Sequence, residues 1–476
     1  MIRPRIGGTR RSIQASSQQR KMSRVRRAFT TMAIPCFTVL ACVEGGSQTE
    51  PADLLSDDSS LEDAAADMSQ SGHDGPSFPD LGHASDLGVA SRDGDGPVID
   101  FGGSDAAGVC RGLDCGPFAF SPPVTIQLPP LIGWRGIAAG DLDADGRVDL
   151  VVSPFDGLTV LFNEGAGKFA AGVKLTPKDK AGPFPVVADF NGDGRLDVAG
   201  RVSSGNWIGA IIVINSGGRQ FQTPFTTEIH GAGQLVTADL NLDGKPDFIV
   251  GGGAAPVVYR VLNLGNGKFG PPSAFGIVSC TDPIAVRDFD GDGQPDVACM
   301  DMHNQDNPKD NGLVVMYLDK NLQVAAVSRR PGAAPRANLL EAADMNGDGR
   351  MDLLVEEDWL GPRPLAIYLN QGGRDQWTRM DYPYPAAVKP GDLDRDGRVD
   401  LVVAPWNNEM PILRNEGGGK VVLRQVVPLN IPMPTFFASA VLIHDLDGDK
   451  RPDVILGDND PNDQFSRIAI LFNRTP

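Results

Sequence analysis

Aspartate recurs at alternate positions in seven short stretches of this chain, each of the form D-x-[D/N]-x-D-x-x-x-D. They begin at Asp141, Asp189, Asp239, Asp288, Asp344, Asp392 and Asp445, and six of the seven carry Gly at position six. In a tight turn, side chains at positions one, three and five point inward together. That is the oxygen chemistry of a hard cation taking about six to eight ligands. A backbone carbonyl at position seven and a carboxylate at position nine complete the cage, and Gly at six supplies the positive φ of the bend. The pattern predicts calcium, with up to seven ions.

The first stretch offers Asp141, Asp143, Asp145 and Asp149 with the carbonyl of Arg147. The second offers Asp189, Asn191, Asp193 and Asp197 with Arg195, and the third Asp239, Asn241, Asp243 and Asp247 with Lys245. The fourth has Asp288, Asp290, Asp292 and Asp296 with Gln294, and the fifth Asp344, Asn346, Asp348 and Asp352 with Arg350. Asp392, Asp394, Asp396 and Asp400 with Arg398 form the sixth; Asp445, Asp447, Asp449 and Asp453 with Arg451 form the last. Asn at position three is expected to lower the charge and affinity of its site. Lys450 replaces Gly in the last copy, where a bulky residue in left-handed conformation costs about 1–2 kcal/mol. That site is expected to be the weakest. Without metal the clustered carboxylates are expected to repel one another and raise their own pKa values, which links folding to calcium. An EF-hand is excluded, because position twelve is Val152, Gly200, Val250, Cys299, Val355, Val403 or Leu456 instead of Glu.

The stretches are 48 to 56 residues apart, so each belongs to one supersecondary unit of a repeat array. In the first unit, Gly136 to Gly140 reads as a strand, then the acidic loop, then a β-branched strand from Leu150 to Ser153. Leu158 to Asn163 is a third strand, and a Gly turn leads to a fourth from Phe169 to Leu175. Short β-branched runs between Gly and Asn turns are antiparallel hairpin grammar. The predicted fold is all-β: a seven-bladed propeller of four-stranded antiparallel blades over residues 117–476. The last unit ends after its third strand, Ile468 to Asn473, and Phe118 to Leu128 resembles the fourth strands elsewhere. An N-terminal strand completing the last blade would close the ring.

Gly140-Asp-Leu-Asp-Ala-Asp-Gly-Arg-Val-Asp-Leu-Val-Val152 and the matching run from Gly391 to Val403 resemble the motif of the FG-GAP/VCBS family. Its blades are similar to those of integrin α-subunit propellers. The resemblance implies calcium in the hairpin between strands one and two of each blade. It does not specify an activity, since the family includes adhesion receptors, lectin-like proteins and polysaccharide lyases.

Ahead of the repeats, residues 1–42 carry nine Lys or Arg and no acid. Met22 is a candidate start, followed by a basic run and an apolar stretch from Ala28 to Ala41 too short to favour a membrane span. Val39-Leu40-Ala41-Cys42 resembles a bacterial lipobox, which makes Cys42 the expected lipidation site; an ordinary cleaved signal is the alternative. Residues 43–109 hold fifteen acids against one Arg, with no apolar periodicity, and are expected to be a disordered acidic tether. The expected location is the bacterial cell envelope, lipid-anchored or secreted. Of the cysteines outside the leader, Cys110 with Cys115 is a plausible pair; strand register does not favour Cys280 with Cys299.

A formal charge of −18 excludes a nucleic-acid partner. There is no G-x-S-x-G elbow, H-E-x-x-H helix or phosphate-cradling loop, so no catalytic residue is assigned. The expected function is a binding or adhesion module, monomeric, whose protein or glycan partner sits on the loop face opposite the calcium hairpins. Trp134, Trp207, Trp359, Trp406, His303, Arg329, Arg330 and Arg336 fall on that face by this reading, or the tryptophans close the gaps between blades. A calcium-dependent polysaccharide lyase and a structural envelope protein are the alternatives.

Overall fold

The computed structural model describes residues 109–476 except 114–115, 129–135, 154–156, 177–183, 205–206, 232, 253–256, 276–279, 302–311, 332–336, 358–363, 386–387, 406–407, 432–437 and 459–465. The leader, Cys42, the acidic tether up to residue 108, Cys115, Trp134, His303, Arg336, Trp359, Trp406 and the side chain of Trp207 therefore lie outside the description. Among the described residues there is no helix, and the strands build a seven-bladed propeller.

Each blade runs from an inner strand outward. In the first, Ile137–Gly140 pairs with Asp149–Val152, that with Thr159–Leu161, and that with Val173–Lys174, all antiparallel. Gly140 opposes Asp149, so the acidic loop is the turn of the innermost hairpin. The second strands are the most apolar, and Asp149–Val152 is buried along its length because alternate residues enter different cores. Leu150 and Val152 pack with Ile455, Ile468 and Ile470 of blade seven. Val151 packs with Val198, Ile211 and Val213 of blade two. The same holds around the molecule: seven apolar cores each lie between two consecutive blades.

The first inner strand ends on glycine for a steric reason. A Cβ on Gly140 would sit 2.8 Å from Leu196 Cδ1 and 3.0 Å from Val187 Cγ1 of the next blade. Ile137–Gly140 neighbours Val186–Ala188, and the series continues through Leu235–Ala238, Thr281–Arg287, Ala337–Ala343, Val388–Gly391 and Ala438–His444 back to Ile137–Gly140. The ring closes as the sequence predicts. Val124–Leu128 pairs antiparallel with Ser466–Leu471 as the outer strand of blade seven, from Val124 opposite Ile470 to Leu128 opposite Ser466. Upstream, Cys110–Arg111 adds a parallel strand to the outer edge of blade six, an addition the sequence did not announce.

One expectation is overturned. Cys280 and Cys299 are disulfide-bonded, with Cα atoms 5.6 Å apart. Their unequal distances from the acidic loop are absorbed by a bulge, where pairing steps from Thr281–Met300 to Ile284–Cys299. Two extra residues on the first strand bring Cys280 alongside its partner. Cys110 is also disulfide-bonded.

Candidate metal centre

Position one organises each acidic loop. Asp141 accepts the Gly146 N–H on Oδ2 at 2.9 Å and the Asp145 N–H on Oδ1 at 3.2 Å. Asp189 does the same for Gly194 at 2.7 Å and Asp193 at 3.2 Å. Position six is left-handed throughout, with φ between 81° and 88° for the six glycines and 67° for Lys450. Position four is left-handed too, which sequence reasoning missed. Ala144, Leu242 and Arg395 adopt φ near 60° there, and the other four copies have Gly. Gly at four of seven copies was the available signal.

Position nine is the buried end of the loop. Asp149 takes the Leu142 N–H on Oδ2 and the Asn163 N–H on Oδ1, each at 2.8 Å. Its pKa is raised from 3.8 to about 6, with burial the largest cause, two backbone hydrogen bonds opposing it, and the charges of Asp143 and Asp145 adding less. Asp197, Asp247 and Asp352 are likewise pushed up to about 6, and Asp296, Asp400 and Asp453 to about 7. Burial rather than mutual repulsion is thus the larger cause, a correction to the simple expectation.

Position seven offers more than its carbonyl. Arg147 donates from Nε to the Asn163 carbonyl at 2.8 Å and from its terminal nitrogen to Asp145, tying position five to the third strand. Arg195, Arg350 and Arg398 repeat the arrangement. Lys245 bonds Asp243 at 2.7 Å, and Arg451 bonds Asp449 at 3.0 Å.

In four loops, oxygens from positions one, three and nine converge. In the groups Asp141–Asp143–Asp149, Asp288–Asp290–Asp296, Asp392–Asp394–Asp400 and Asp445–Asp447–Asp453, ligand oxygens lie within 4.8 Å of one another. In the other three loops Asn191, Asn241 and Asn346 donate to the position-five carboxylate at 3.0, 3.2 and 2.9 Å. The donor set is all oxygen, as a hard cation requires. Asp143 Oδ1 and Asp447 Oδ1 are buried with no hydrogen-bond partner. A buried carboxylate oxygen without a partner is costly, and a cation satisfies it. In these four loops the residues therefore fit a bound metal ion, held by positions one, three and nine.

A belt of hydrogen bonds, also missed from sequence, links the loops. The position-two residue gives its N–H to its own position-nine carboxylate and its carbonyl to an amide of the next blade. Asn163 Nδ2 donates to Leu446 of blade seven at 2.6 Å, Asn215 to Leu142 at 2.6 Å and Asn263 to Phe190 at 3.0 Å. Asn370 reaches Phe289, Asn415 reaches Met345, and Asn473 reaches Leu393. Blade four has Leu318 where the others have Asn, and there Gln294 donates to Leu240 from position seven. The position-two side chains, all large and apolar, are buried in the inter-blade cores. Each acidic loop is thereby fastened to both of its neighbours.

The model of the FG-GAP-like repeat matches residues 141–200, 239–299, 288–355 and 392–456, together about half of the chain. The human T-cell immunomodulatory protein is 23% identical over 362 residues, covering 64% of this chain and 55% of its own length. Integrin alpha pat-2 of Caenorhabditis briggsae is 24% identical over 265 residues, covering 50% of this chain and 19% of its own. A solved lectin of Agrocybe aegerita aligns with a TM-score of 0.48 at 19% identity, over 74% of this chain and 94% of its own. This chain thus spans between a fifth and about half of the two curated relatives. With its repeats matched and its blades in place, the chain belongs to the FG-GAP-like repeat family.

Proposed function

We propose that this chain is a calcium-stabilised extracytoplasmic binding or adhesion module. The observation that carries the reading is the pair of buried, partnerless oxygens on Asp143 and Asp447, set in loops that a hydrogen-bonded belt fastens into one ring. A ring so built is a rigid frame, and calcium in its loops would neutralise the acids that burden it. The curated relatives, an integrin α-subunit among them, support a binding role outside the cytoplasm. The partner, a protein or a glycan, is placed on the loops opposite the calcium hairpins, and Cys42 would supply a membrane anchor.

The lyase alternative loses its free bases in part. Arg329 is paired with Asp301, and Arg330 lies 3.7 Å from Asp375. Binding of the purified chain to a glycan array and to envelope proteins, in calcium and in EDTA, tests the proposal. Retention that needs calcium, without turnover, is the expected result. Unsaturated ends released from an acidic polysaccharide would overturn it in favour of a lyase.

A further inference from the structure

The seven loops divide by the residue at position three, and a second residue follows that division. Where position three is Asp, an arginine holds it. Arg219 Nε donates to Asp143 Oδ2 at 2.6 Å and Arg374 Nε to Asp290 Oδ2 at 2.7 Å, each reaching back from the next blade's outer hairpin. Arg414 Nε donates to Asp394 Oδ2 at 2.8 Å and Arg474 Nη1 to Asp447 Oδ2 at 2.6 Å, both from their own blade. Where position three is Asn, among the described residues no arginine bonds Asn191, Asn241 or Asn346. The hairpins that follow those blades read Asn-Leu-Gly-Asn-Gly from 263, Leu-Asp-Lys-Asn-Leu from 318 and Asn-Glu-Gly-Gly-Gly from 415, without arginine.

Formal charge is levelled at four of the seven loops. Setting the loop carboxylates against the position-seven cation and this arginine leaves −2 at blades one, two, three and five, and −1 at blade six, where Arg395 at position four adds a further cation. Blade four keeps −3, because Gln294 is neutral, and blade seven falls to −1 through Lys450. Carboxylate count and net loop charge therefore do not run in parallel. The arginines are not loose surface ions. Asp143 and Asp290 are less than a tenth exposed at the side chain, and Arg219 lies over the Phe162 ring at 4.6 Å.

We infer that Arg219, Arg374, Arg414 and Arg474 are built-in counter-cations: they neutralise the position-three carboxylate when no metal is bound and so moderate the calcium affinity of four loops. The inference rests on the calcium reading above. Each arginine occupies Oδ2, and at Asp143 and Asp447 it leaves Oδ1 without a partner. Without the arginine the carboxylate is uncompensated in the metal-free protein, and calcium gains what the guanidinium supplied.

Melting temperatures of the full chain in EDTA and in millimolar calcium test this. Arg219→Gln is expected to melt a few degrees lower in EDTA and close to wild type in calcium, so its calcium-induced gain is larger. Arg219→Lys, keeping the charge, retains most of the wild-type gain. The double variant Asp143→Asn, Arg219→Gln, which recreates the loops of blades two, three and five, melts above Arg219→Gln in EDTA. Equal losses in both buffers, with no rescue by the double variant, would reduce the arginine to an inter-blade packing contact and overturn the inference alone. A wild-type protein indifferent to calcium overturns this inference together with the metal reading.

Discussion

The Asn163 side-chain amide donates to the backbone carbonyl of Leu446, 283 residues away, at 2.6 Å. That bond joins the first blade to the last at the level of their acidic loops. Leu446 in turn gives its N–H to Asp453 at 2.8 Å, and the pattern repeats around the ring. The carboxylates at position nine are therefore part of the frame as well as candidate ligands.

Breaking the belt at one point should loosen the closure. Asn163→Ala leaves the carbonyls of Leu446 and Val148 without this donor, at a cost of about 1–3 kcal/mol. The urea midpoint should fall accordingly. Blade four offers a sharper version: Gln294→Arg removes the amide that reaches Leu240, and adding Leu318→Asn should restore stability. No rescue would show that the amide is not what matters there.

Leu142 is 2% exposed and fills the core between blades one and two. Leu142→Ala should cost about 2–5 kcal/mol, combining lost burial with a cavity. Because its backbone stays in the belt, calcium-induced stabilisation should persist, as paired melts would show.

Lys450 holds a φ of 67° where the other loops have Gly. Lys450→Gly should gain roughly 1 kcal/mol by relieving that conformation, in EDTA as well as in calcium. The additional loss of an ammonium near the last loop should enlarge the calcium response. A lower melting point for the glycine variant would contradict this account of the seventh loop.

Stability should respond to pH in opposite senses with and without metal. The position-nine carboxylates have folded pKa values of about 6 to 7, above 3.8, so their charged forms penalise the metal-free fold. That penalty is fully present above about pH 7 and is relieved as pH falls through the folded values. In EDTA the melting temperature should therefore rise from about pH 8 to about pH 5. In calcium it should fall over the same range, as protons displace the ion. Parallel slopes in the two buffers would contradict a metal at position nine.

Much of this was legible in sequence because it is local. The seven acidic turns, the β-branched strands after them and the unfinished last unit defined the blades, the candidate sites and the closing role of Val124–Leu128. The belt was not legible, since it joins residues about 54 to 283 apart through side-chain amides. Its traces were present: Asn163, Asn215, Asn263, Asn370, Asn415 and Asn473 recur where the third strands end by the sequence pattern, and every position two is large and apolar. The Cys280–Cys299 bridge was misread because a bulge is a feature of strand pairing that no motif announced. The arginine pairing escaped for a similar reason, as Arg219 and Arg374 serve loops in the preceding blade.

Calorimetric unfolding of the full chain in calcium and in EDTA addresses the centre of this account. A melting temperature that rises with calcium concentration and falls back on chelation is the result expected of loops holding the ion. A melting temperature unmoved between the two buffers would contradict it and leave the acidic turns as plain turns.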